Sequence, residues 1–70
     1  MDLKMEFKQV TNGERSRVYV FPQGTVEITD VVCVCVRDSG THRLETKSGE
    51  KYIIPNGWMA IRIDADEWSF

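Results

Sequence analysis

Turn-forming dipeptides recur along this chain at spacings too short to hold a crossover helix. Asn12-Gly13, Pro22-Gln23-Gly24, Asp38-Ser39-Gly40, Ser48-Gly49 and Pro55-Asn56-Gly57 each place a glycine beside a residue that bends or caps the backbone. Between them the residues alternate or run apolar and favour β-branched and aromatic types. No window sustains the i, i+3, i+4, i+7 pattern of an amphipathic helix. Strands joined by so few residues must be antiparallel neighbours, because a parallel connection needs a dozen residues or more. The expected fold is therefore all-β. It is a small antiparallel meander of five to seven short strands, near residues 3–10, 15–21, 25–29, 31–37, 41–47, 51–54 and 58–63. These would form a barrel or a strongly curved sheet, SH3-like in size. Asn12-Gly13 is expected to form a type I′ hairpin turn, where both central positions need positive φ. The break at Thr29-Asp30 is the weakest, and 25–37 reads equally as one long, bent strand.

Period-two alternation assigns the faces. Leu3, Met5 and Phe7 share a side, as do Val26 and Ile28, while Leu44 lies between Arg43 and Glu45. Met59, Ile61 and Ile63 form another apolar face, with Trp58, Ala60 and Arg62 on its reverse. Residues 31–36 break the rule, because both of their faces are apolar. Strict alternation sends Val32, Val34 and Val36 one way and Val31, Cys33 and Cys35 the other. A small barrel has one interior, and each Val or Cys left outside forgoes about 1–2 kcal/mol of burial. An uncovered apolar strand also invites aggregation. Cover is expected from the C-terminal Trp68 and Phe70 folding back, from a second sheet built by the first hairpin, or from a second copy of the chain. Val31, Cys33, Cys35, Trp58, Trp68 and Phe70 are thus the expected self-association or partner surface, and a homodimer is the expected state.

Seventy residues allow one domain with a thin core. The division is a domain over 1–63 and an acidic, aromatic tail over 64–70. Asp64, Asp66 and Glu67 carry −3 against a net charge of −2, so residues 1–63 sum to +1 and the body is close to neutral. That balance excludes intrinsic disorder and offers no clustered cationic surface for phosphate backbones. No apolar run approaches the length of a membrane span. The N-terminus has no secretory h-region, so a cytoplasmic location is expected. A short chain of this kind fits a small regulator of the sort that phages and mobile elements encode.

Little in the sequence points to catalysis. Cys33, Cys35 and His42 supply one ligand pair and a histidine, where a structural zinc site wants two separated pairs. Reduced, packed cysteines are the simpler reading, since residues two apart on a strand are poorly placed for a disulfide. His42 is expected to flank a turn in solvent and to pair near Val36 or Arg37, out of reach of Cys33. No enzyme, metal centre or cofactor is expected. The leading function is a small non-enzymatic protein-interaction or regulatory module, self-associating through its apolar central strand or pairing a partner's strand at an open edge. The alternative is a nucleic-acid-binding small β-barrel, with Arg15, Arg17, Tyr19, Trp58 and Arg62 interleaving cations and aromatic platforms.

Overall fold

The computed structural model describes residues 8–67, with side chains from Gly13 onward. Leu3, Met5 and Phe7, and likewise Trp68 and Phe70, lie outside the described residues. Five strands form one antiparallel sheet: β1 (Lys8–Phe21), β2 (Gly24–Val36), β3 (His42–Thr46), β4 (Lys51–Ile54) and β5 (Ala60–Asp64). Their spatial order is β4-β3-β2-β1-β5, so β4 and β5 are the outer strands and the sheet does not close into a barrel. The all-β antiparallel fold is as expected and β1 to β4 follow meander order, but β5 crosses back to pair with β1 instead of β4, a long-range pairing that loop lengths do not announce.

Two irregularities explain where the segmentation departs from expectation. Asn12-Gly13 is not a hairpin turn, because β1 runs straight through it. Gly13 does adopt positive φ, at 74°, but it serves a bulge. Between Gln9 and Glu14, β1 advances five residues while β2 moves only from Cys33 to Val31. The turn signal and the bulge signal are the same glycine, and the long partner strand decides between them. The second irregularity is Asp30, at φ 56°, a left-handed conformation that aspartate tolerates better than most side chains. It lies where 25–37 was the ambiguous segment, and β2 is indeed one long, bent strand.

These irregularities reset the facing of β2. Ile28, Val31 and Val34 are all buried, at spacings of three instead of two, and β2 carries an extra residue against β3 between Val31 and Cys33. Strict alternation placed Val31 and Val34 on opposite faces; in the structure both enter one core, at 0% and 1% exposure. The supposed surplus of apolar face therefore shrinks. Cys35 is also buried and Cys33 half-buried.

The bend folds the sheet across itself. On the register, Tyr19 lies opposite Val26 and His42 opposite Val36, ten residues further along β2. A straight strand would separate those positions by about 33 Å, yet the two side chains are in hydrogen-bond contact. The core lies between the two halves: Tyr19, Ile28, Val31, Val34, Leu44 and Ile54, with Phe21, Tyr52, Trp58 and Ile61 packed against it. At one end the 37–41 and 55–59 loops are tied together by Asn56 Nδ2 donating to the Ser39 carbonyl at 2.8 Å. Gly40, at φ 89°, lets the first loop turn under Asn56, whose amide lies 3.4 Å from where a Cβ would stand.

Candidate functional site

The most distinctive feature is a polar chain enclosed in the core. Arg17 and Glu14 are both fully buried and meet in a bidentate ion pair, Nε to Oε1 at 2.8 Å and Nη2 to Oε2 at 2.6 Å. Arg17 Nη1 donates to Tyr19 Oη at 3.3 Å, and Tyr19 Oη lies 2.8 Å from His42 Nδ1. A guanidinium can only donate. The enclosed Tyr19 hydroxyl proton therefore needs an acceptor other than Arg17, and Nδ1 of a neutral imidazole protonated on Nε2 is the partner at hydrogen-bond distance. Trp58 completes the cluster, its ring centroid 4.6 Å from His42 and 5.4 Å from Tyr19.

The electrostatics follow from enclosure. Burial pushes the Tyr19 phenol above its ordinary value, against the opposing hydrogen bond and positive charge of Arg17. Burial lowers the His42 imidazole below its usual range, and the Arg17 charge acts in the same direction. For Arg17 burial is the largest influence and disfavours the charge, but the hydrogen bonds to Glu14 and Tyr19 together with their charges outweigh it and the guanidinium stays ionised.

Sequence reasoning placed His42 in solvent; it is 6% exposed, although its pairing with Val36 is as expected. The error is local in origin. A histidine flanking a short loop looks exposed until the bend in β2 brings β1 over it.

The expected nucleic-acid residues do not share a surface. Arg17 and Tyr19 are enclosed, and Trp58 is half-buried against the core. Arg15 is engaged by Asp64 (Nε 3.0 Å, Nη2 2.8 Å) and by Asp66 (Nη1 3.0 Å), leaving Arg62 exposed. The hydrogen bonds that Arg15 donates to Asp64 and then to Asp66 raise its guanidinium above the ordinary value, and the bond from Arg15 lowers the Asp64 carboxyl. The expected association residues are dispersed too. Val31 is core and Cys35 is buried; Val31, Cys33 and Val34 pair with both β1 and β3, and Cys35 and Val36 pair with β3.

Open edges lie elsewhere. Among the described residues β4 and β5 each lack an outer neighbour, and the first half of β2 pairs only with β1. Beside β5 the large apolar side chains Met59 and Ile63 are 66% and 39% exposed. A cleft of about 180 Å³ opens by the bend, between Gly13, Asp30 and Lys47, and its mixed charges gather no reactive set. Among the described residues no cluster of three His, Cys, Asp or Glu side chains comes together, and no helix is long and apolar enough to cross a membrane. Comparison of the chain with protein-family models, curated proteins and solved structures finds no match.

Proposed function

We propose that this chain is a small non-enzymatic interaction module that self-associates by adding strand to strand at the β5 edge. One observation carries this reading: the β5 edge complements its own two-fold image. In an antiparallel pair centred on Ile63, each Ile63 faces its counterpart, and Arg62 faces Asp64 of the second copy on the same side of the sheet. Arg62 is exposed and makes no ion pair among the described residues, while Asp64 has oxygen lone pairs to spare beyond those bound by Arg15. Each cross-strand charge pair contributes about 0.2–1 kcal/mol, and the two-fold axis supplies two of them.

The other edges are less suited. β4 opens on Lys51 and is stopped by Pro55, and the first half of β2 carries Glu27 at its middle. Charges and prolines at such positions discourage pairing. The β5 edge is equally able to receive an extended segment of another protein, but a second copy is the occupant that brings its own complement. Centred on Ile63, β5 overlaps its own image only over residues 62–64, which supports no more than a weak, concentration-dependent dimer.

Sedimentation velocity across a micromolar concentration series tests this. The mass should rise from 8.1 kDa toward twice that value, and Ile63→Lys should hold it at 8.1 kDa. A native chain that stays at 8.1 kDa throughout, or an Ile63→Lys chain that still dimerises, contradicts it.

A further inference from the structure

Beyond self-association, we infer that His42 is a proton-operated latch that holds the 55–59 segment and the start of β5 against the rest of the fold. Three parts of the chain converge at this ring. β1 contributes Tyr19, hydrogen-bonded to Nδ1, with Arg17 just beyond it and Glu14 behind Arg17. The 55–59 segment contributes Trp58, at 4.6 Å between centroids. On β3 itself, His42 has apolar Val36 of β2 on one side and apolar Ile54 of β4 on the other. Among the described residues no carboxylate is in hydrogen-bond contact with the imidazole.

Protonation reverses one bond. Neutral Nδ1 accepts the Tyr19 hydroxyl proton; once protonated it must donate instead. The Tyr19 oxygen would then receive from both His42 and Arg17, and its own proton, fully enclosed, would have no acceptor along this chain. A second cation would also enter the enclosure that already holds the Arg17 charge. Burial and Arg17 both lower the proton affinity of the ring, in line with this geometry.

The element with fewest ties yields first. β1, β2 and β3 are laced together by strand pairing, whereas the 55–59 segment is held by Met59 N donating to the Val20 carbonyl at 2.7 Å, by Asn56 donating to the Ser39 carbonyl, and by Trp58. Losing the Tyr19–His42–Trp58 packing frees that segment and loosens the β1–β5 register it leads into.

The test uses Trp58 as reporter in a Trp68→Phe background, with amide hydrogen exchange alongside. As pH falls below about 6.5, Trp58 emission should shift to the red in a one-proton transition. Protection at Met59–Arg62 should be lost before protection in β2 and β3. His42→Gln, which still accepts from Tyr19 but does not titrate, should abolish the transition. A transition that survives in His42→Gln, the lack of any transition, or simultaneous loss of all amide protection overturns the inference. The native chain supplies a second arm through its single histidine. The His42 Cε1–H and Trp58 indole N–H resonances should titrate with one shared midpoint, and separate midpoints overturn the latch.

Discussion

Tyr19 Oη lies 2.8 Å from His42 Nδ1, although the residues opposite them on β2, Val26 and Val36, stand ten positions apart. Between those positions β2 carries left-handed Asp30 and the irregularity at Val31–Cys33, and the bend they make brings the two side chains together. The contact joins the halves of an otherwise open sheet, and it does so with a polar bond inside the core.

Tyr19→Phe keeps the ring and removes the oxygen shared by Arg17 and His42. The loss should cost about 1–3 kcal/mol, the usual penalty for leaving enclosed polar groups without a partner. Urea denaturation reads this directly. Adding His42→Phe should recover part of the loss, because it removes the orphaned nitrogen as well.

Glu14 and Arg17 are a pair whose members are worth more together than apart. Glu14→Gln or Arg17→Met alone should destabilise by about 3–5 kcal/mol, since each strands a buried charge. Replacing both with apolar residues of similar volume should restore most of that. Denaturation midpoints of the two single variants and the double variant form the check.

Much of this fold is written in the local sequence. The turns at Pro22-Gln23, 37–41 and 47–50, the antiparallel order and the His42–Val36 pairing follow from loop length and period-two patterning. What escaped reading is non-local. Asn12-Gly13 announces positive φ, but whether that φ reverses the chain or bulges it depends on β2 being long enough to pair on both sides. Alternation failed from Ile28 to Val34 because a left-handed Asp30 and a bulge each shift the face by one residue. Arg17 and Tyr19 enter the sequence reading only as surface residues of the nucleic-acid alternative, and nothing local marks Glu14 as their partner. A charge can face inward only when its partner does, and here the partners lie three apart on β1, a spacing that strict alternation sends to opposite faces. The β5 edge became visible only with the strand order.

Gly13→Ala should cost about 1 kcal/mol, from backbone strain at φ 74° rather than from crowding. An added Cβ would stand 3.5 Å from the Val31 carbonyl, an ordinary contact. Gly13→Asn should be milder, as asparagine tolerates this region. Thermal melts of both variants against the native chain distinguish strain from a steric clash, which would make asparagine the worse of the two.

Stability should depend on acid in two windows. His42 binds its proton less readily when folded, so its contribution is complete above about pH 6.5 and declines as pH falls below that value. Asp64, lowered by Arg15, contributes above its ordinary value of 3.8 and loses that contribution as pH drops below it toward the folded value. Because the Arg15–Asp64 pair is solvent-exposed, the second window should be shallow. Melting temperatures between pH 8 and pH 3 map both, with Arg15→Ala flattening only the lower one.

Charge exchange at the β5 edge tests the central proposal most directly, by sedimentation equilibrium. Arg62→Asp alone sets carboxylate against carboxylate across the two-fold axis, and Asp64→Arg alone sets guanidinium against guanidinium. Each single change should weaken the dimer at least several-fold, and the double change should restore it toward the native constant. Equal dimerisation by all four chains, or an unchanged constant in Arg62→Asp, which leaves the Arg15–Asp64 pair intact, would contradict association through this edge.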